Sequence, residues 1–353
     1  MKISLAPFFK ISIMIISFGI LLILFLPART PKYKGLEKYA NSVAKLEMVE
    51  IGGIKQSLLV RGTDIENPII LNLHGGPSYA QIGFARKYQK KLEEEFIVVN
   101  WDQRGSGKSY SFGTEKTTMT REQFIADTVE IIDYLCREYN KEKVYLVGHS
   151  WGSDLGLHVV SQYPERILAY IGVGQVIDWK RGEEISYHYA YGVAKENEDH
   201  KALKVLDEIG PPPYGNMVKD ISKQRKILNR YNGTELQINT LKDTIYGFLF
   251  SPEYTGIDGI RYVIGSLFTA NLMFEKVMDI NLIEAIPIVE VPVYFAVGRQ
   301  DHLTTPQLVE EYVEALQAPY KEVIWFENSA HFPHFEEVEK FYDLMLSIKE
   351  KSH

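Results

Sequence analysis

The stretch Val144-Tyr145-Leu146-Val147-Gly148-His149-Ser150-Trp151-Gly152-Ser153 constrains the fold more than any other part of the chain. Val144 to Val147 is a short continuous apolar run of the kind a fully buried parallel strand shows, and Leu155, His158, Val159 and Gln162 follow it at helical spacing. A strand that turns into a helix this sharply forces Ser150 into a strained backbone conformation, and Gly148 and Gly152 supply flanking positions without a Cβ. The serine hydroxyl is thereby left exposed. The N-terminus of the following helix aims its free N–H groups and the positive end of its dipole at the place where a developing oxyanion would sit.

The rest of the chain reads as support for that turn. Ala44 to Ile51 and Lys55 to Arg61 flank Gly52-Gly53, a two-residue connection favoured in hairpins, and form an antiparallel edge. Pro68 to Leu73 is a strand entering His74-Gly75-Gly76-Pro77-Ser78; a helix is expected from about Gln81 to Glu94, a strand from Phe96 to Asn100 and an amphipathic helix from Arg121 to Glu138. A strand at Ile167 to Val173 follows the serine turn. Strand and helix thus alternate as in a parallel sheet covered on both faces, which places ligands at the carboxyl ends of the strands. From Asp178 to about Glu284 the pattern changes to helical or irregular segments rich in tyrosine and charge, read as a helical cap over that edge. Sheet character returns at Val291 to Val297 and Glu322 to Phe326, with helices expected at Thr305 to Gln317 and Glu336 to Ile348. The resulting division is an anchor over 1–29, a linker over 30–43, the first part of the core over 44–177, the cap over 178–287 and the second part of the core over 288–353.

The anchor is inferred from an uncharged run, Ile11 to Leu26, preceded by Lys2 and Lys10. Its length lies between a signal-peptide core and a full membrane span. The small-residue cleavage position at Leu26-Pro27-Ala28 is poor, so a retained single-pass transmembrane helix is expected rather than a removed peptide. Basic residues on both sides leave the membrane face open, with the extracytoplasmic side favoured. The net charge of -7 and the lack of a basic stripe argue against a nucleic-acid partner. The single cysteine, Cys136, excludes an internal disulfide and a Cys-based zinc site. No cofactor or metal is implied.

A serine hydroxyl needs a base within hydrogen-bond reach, and the base needs an orienting acid. Asp301 follows the strand that ends at Val297, and His331 follows the strand that ends at Phe326; the order Ser150, Asp301, His331 is that of a triad built on an α/β sheet. His334 is the alternative base, and His149 and His302 stand beside the nucleophile and the acid. For the oxyanion, the N–H of Trp151 is one expected donor and that of Gly76 the other, with Gly75 as its alternative. Gly105-Ser106-Gly107-Lys108-Ser109 fails as a phosphate loop because Asp102 stands where the first glycine is required.

His74-Gly75-Gly76-Pro77, Trp101-Asp102-Gln103-Arg104-Gly105-Ser106-Gly107, Gly148-His149-Ser150-Trp151-Gly152-Ser153, Gly298-Arg299-Gln300-Asp301 and Ser329-Ala330-His331-Phe332-Pro333-His334-Phe335-Glu336 together resemble the proline iminopeptidase branch of the α/β-hydrolases. The resemblance covers about residues 68 to 178 and 288 to 348, and departs from the family at Ser78 and His149, where glycine is more usual. It implies an α/β-hydrolase fold and an aminopeptidase in which Ser150 attacks, His331 shuttles the proton and Asp301 orients it. Family aminopeptidases hold the substrate's amino group with cap acids, which the sequence alone does not pick out among Glu183, Glu184, Glu196, Glu198, Asp199 and others. Without such an acid the same triad would serve esters, as in a carboxylesterase or lipase-like enzyme. A non-catalytic binding protein on the same scaffold is the remaining alternative.

Overall fold

The computed structural model describes residues 27–34 and 39–352, together with Met14 and Gly19. Its sheet has eight strands: β1 (Val43–Ile51), β2 (Ile54–Gly62), β3 (Ile69–Leu73), β4 (Ile97–Asp102), β5 (Val144–His149), β6 (Ile167–Val173), β7 (Val293–Gly298) and β8 (Lys321–Phe326). Their spatial order is β1-β2-β4-β3-β5-β6-β7-β8. The β1–β2 and β2–β4 pairs are antiparallel, and every pair from β4 through β3 to β8 is parallel. The first hairpin turns on Gly52 and Gly53, both at positive φ (+55° and +74°), the backbone a two-residue hairpin of this twist demands. Strands β3, β4 and β5 are buried along their whole length, as parallel strands covered on both faces must be.

On the two faces lie α1 (Arg121–Glu138), α2 (Trp151–Gln162), α8 (Pro306–Ala315) and α9 (Val338–Lys351). Between β6 and β7 run α3 (Trp179–Glu196), α4 (His200–Ile209), α5 (Met217–Arg230), α6 (Thr240–Phe250) and α7 (Gly256–Val277). Each of these five starts where a short polar side chain, Asp178, Asp199, Asn216, Asn239 or Thr255, accepts the N–H three residues on. Tyr187, Ala190, Leu206, Ile227 and Leu228 give part of this insertion an apolar core of its own.

Two expectations need correcting. The transmembrane helix, and with it the single-pass membrane localisation, is not upheld. Among the described residues no helix is long and apolar enough to cross a membrane. The run from Ile11 to Leu26 on which the anchor was based lies outside the described residues, Met14 and Gly19 apart, and is short of the about 20 residues a span requires. The helix expected over Gln81–Glu94 is replaced by two single turns, Arg86–Gln89 and Leu92–Glu95. Gly83 lies there against the backbone of Gly247 in α6, where an added Cβ would come within 3.1 Å of its Cα, so close packing fixes an irregular path.

Candidate active site

Ser150 sits between the end of β5 and the start of α2 with φ +53° and ψ −122°, a conformation rare outside glycine and stored at functional turns. Its N–H donates to the carbonyl of Val173 at 3.0 Å, which ties the turn to the end of β6. The flanking glycines are obligatory by contact. A Cβ on Gly148 would lie 2.5 Å from the carbonyl oxygen of Gly152, and one on Gly152 would lie 2.1 Å from that of Leu73. The loop after β3 lies against the same turn: a Cβ on Gly75 would meet Ser150 Cβ and His149 Nδ1, both at 3.0 Å. Gly76 has φ +123°, which only glycine adopts readily. As the first residue of α2, Trp151 has no intrahelical carbonyl for its N–H. Neither that N–H nor the one of Gly76 is hydrogen-bonded to a described residue.

Asp301 and His331, from the loops after β7 and β8, meet directly. His331 Nδ1 donates to Asp301 Oδ2 at 2.9 Å, with both side chains almost fully buried. The acid is further held by the N–H groups of Leu303 (2.9 Å) and Thr304 (2.8 Å) on Oδ1 and by the Thr304 hydroxyl (2.7 Å) on Oδ2. Burial pushes the Asp301 carboxyl upward, but the His331 charge and these hydrogen bonds outweigh it and hold the group below its ordinary value. His331 packs beside Gly174, where an added Cβ would be 2.8 Å from the ring, one residue past the carbonyl that binds Ser150. The structure thus brings Asp301 and His331 into contact and ties the Ser150 turn, through Val173, to Gly174, on which the His331 ring packs. No hydrogen bond joins Ser150 Oγ to His331; such bonds are often long until a ligand is in place.

The other histidines are differently placed. His149 Nε2 donates to the carbonyl of His331 at 3.0 Å, and its ring lies 4.8 Å from that of His331. Burial, with His331 and His334 nearby, drives its pKa well down, so it is neutral. His334 has no hydrogen bond at either ring nitrogen among the described residues, and burial lowers it to about 3. His302 stacks on Tyr189 of α3 at 3.5 Å. Among the described histidines, His331 alone is hydrogen-bonded to Asp301.

Under the turn lies a buried polar frame built from the Trp101–Arg104 stretch. His74 Nδ1 donates to the Gly75 carbonyl at 2.8 Å, so its Nε2 accepts the Gln103 N–H at 3.1 Å; burial lowers this ring to about 4 and keeps it neutral. Gln103 Oε1 accepts from the Trp151 indole at 3.1 Å. Arg104 grips Asp127 with two bonds of 2.8 and 2.9 Å, both side chains fully buried. Asp102 accepts from the Lys108 N–H and, at 2.7 Å, from the Tyr254 hydroxyl of the insertion, while Lys108 pairs with Asp258. The Gly105–Ser109 stretch is therefore an internal tie rather than a phosphate cradle.

The insertion reaches the loops that carry Asp301 and His331 through residues 233–237, contacts that no local sequence pattern marks because the residues they touch lie up to 100 positions away. The carbonyl of Gly233 accepts the His302 N–H (3.0 Å) and that of Thr234 accepts the His331 N–H (3.1 Å). The next residue, Glu235, is buried, its Oε2 accepting the Thr240 N–H at 2.8 Å. Of the cap acids named from sequence, Glu183 is buried against Arg225, Asp199 caps α4 and pairs with Arg230, and Glu196 and Glu198 are exposed.

This strand order, with a helical insertion after β6 and the three residues at the strand ends, defines an α/β-hydrolase. The chain belongs to the alpha/beta hydrolase fold family, whose model matches residues 68–338. It is 35% identical over 303 residues to the probable aminopeptidase YbaC of Bacillus subtilis (strain 168), a match spanning 85% of this chain and 95% of that protein. It is 25% identical over 294 residues to a proline iminopeptidase of Heyndrickxia coagulans, covering 78% and 87% of the two chains. Among solved structures, the proline iminopeptidase of Mycobacterium smegmatis shares the fold, with a TM-score of 0.56 at 16% identity over 87% of this chain and 98% of that one. The protein is a hydrolase of this superfamily, similar to the proline iminopeptidases.

Proposed function

We propose that the enzyme is a serine aminopeptidase of the proline iminopeptidase type, working through an acyl-enzyme. The observation that carries the reading is the 2.9 Å Asp301–His331 pair at two strand ends beside the strained Ser150 turn. In this mechanism His331 Nε2 takes the Ser150 hydroxyl proton as Oγ attacks the carbonyl of the substrate's first residue. The oxyanion is met by the N–H groups of Trp151 and Gly76, which have no other partner among the described residues. His331 then protonates the leaving amine, and a water activated by the same ring releases the acyl group. Asp301 keeps Nδ1 protonated and stabilises the imidazolium.

Amide rather than ester specificity rests on Glu235. An exopeptidase needs a buried carboxylate to receive a free ammonium, because leaving that charge unpaired in a closed pocket is costly. Glu235 is buried and directly follows the residue that binds the His331 backbone. The test compares prolyl and alanyl arylamides with short acyl esters, using Ser150→Ala as control. Cleavage of the arylamides, lost in Ser150→Ala and with KM raised in Glu235→Gln, is expected. Ester turnover with no arylamide cleavage would reject the aminopeptidase in favour of a carboxylesterase, and no labelling of the folded protein by a fluorophosphonate would reject the nucleophile.

A further inference from the structure

We infer that Glu336 is a positioning residue that fastens the cap segment 235–237 and the loop carrying His331 into one unit; the inference rests on the proposed role of His331 as base. The carboxylate is buried and divides its two oxygens between two distant parts of the chain. Oε2 accepts the N–H of Ala330, the residue before His331, at 2.7 Å. Oε1 accepts the N–H of Leu236 and, at 2.9 Å, that of Gln237. No lysine, arginine or histidine of the described residues forms an ion pair with Glu336, so its charge is met by three backbone dipoles. The same two segments are also joined by the Thr234 carbonyl on the His331 N–H and by the Gln237 side-chain amide on the Asn328 carbonyl at 2.9 Å.

The consequence is mechanical. The position of the His331 ring follows from its backbone, and Ala330 and His331 each donate their N–H to a group fixed by this clamp or by the cap. A cap segment next to Glu235 therefore cannot shift without dragging the base. A glutamine keeps the shape of Glu336 but has one acceptor oxygen, and its NH2 would face either the Ala330 N–H or the Leu236 and Gln237 pair. One side of the clamp opens whichever way the amide is turned.

The experiment measures kcat and KM on prolyl arylamide for Glu336→Gln and Glu336→Asp, with reactive serines counted by fluorophosphonate titration. Aspartate keeps the charge but is too short to span both sides, so it serves if the glutamine variant does not fold. Glu138→Gln is the control, since the exposed Glu138 side chain pairs with Lys45, away from the His331 loop. The expected result is a kcat per titrated serine reduced toward about 10²-fold, the loss that follows a displacement near 1 Å, with KM little changed and the control at wild-type rate. A Glu336 role in folding alone would lower the titrated fraction and leave kcat per serine intact, and that result overturns the inference. A wild-type protein that takes no label overturns the serine-hydrolase reading and this inference with it, whereas labelled wild type with wild-type kcat in either folded variant overturns this inference alone.

Discussion

Replacing His334 by phenylalanine should make the protein more resistant to acid. Both ring nitrogens of His334 are buried without a hydrogen bond among the described residues, and burial, with His331 adding to it, holds its pKa at about 3. In the unfolded chain the same ring titrates near 6.5. Between pH 7 and pH 5 the unfolded chain takes up a proton that the folded protein refuses, which shifts the balance toward unfolding by about 2 kcal/mol. The sign follows from the depressed folded-state pKa: the contribution is complete above the unfolded value and is lost as pH falls toward 3. Phenylalanine has no proton to take, and its ring fits among the Phe335, Phe332 and Phe341 rings that already surround His334. Removing two unpartnered polar atoms from the core is in addition neutral or favourable at pH 7. Urea unfolding of both proteins at pH 7, 6 and 5 checks this. The gap between His334→Phe and wild type should widen by about 2 kcal/mol over that range. Parallel stability curves would refute the reasoning, since they would mean that the ring is protonated in the folded protein or hydrated enough to titrate normally.

Asp102 should act with the opposite sign: burial pushes it up to about 7 despite the Lys108 N–H and the Tyr254 hydroxyl, so the wild type loses about 2 kcal/mol from this group between pH 5 and pH 7, and Asp102→Asn should abolish that slope in the same urea titration. Arg104→Met should cost about 3–5 kcal/mol in urea unfolding, because it leaves the fully buried Asp127 charge without its bidentate partner. Two glycines should behave in contrary ways when changed to alanine. Gly192 lies inside α3 with nothing within 4 Å of a new Cβ and should gain about 0.5–1 kcal/mol in thermal or urea unfolding, while Gly152→Ala, driven into the Leu73 carbonyl, should lose more than about 3 kcal/mol or fail to accumulate.

What could be read from the sequence was whatever depends on neighbours in the chain. The Gly52-Gly53 hairpin and the apolar run of β5 are local signals, and both elements lie within a few residues of where the pattern puts them. The meeting of Asp301 with His331 could be expected because strand ends in a parallel sheet converge, so position after a strand stands in for position in space. The Gln81–Glu94 segment was misread because its path is set by the close approach of Gly83 to Gly247, a contact no local pattern encodes. The burial of Glu235 and the three backbone N–H groups on Glu336 were hidden for the same reason: a buried carboxylate looks like any solvated acid until the segment that returns to the His331 loop is placed. His334 could be weighed as a base from spacing alone, and only its empty surroundings set it apart from His331.

The contact of Gly152 with the Leu73 carbonyl has one more implication, for how the enzyme ages under heat. Gly152 meets the Leu73 and His74 carbonyls backbone against backbone, so the spacing between the serine turn and the end of β3 has no side-chain rotamer in it to soften. The path from Ser150 to His331 instead runs through two surface-reaching loops and the cap segment that binds them. Warming should therefore loosen the Asp301 and His331 loops before it disturbs the contact between the serine turn and β3.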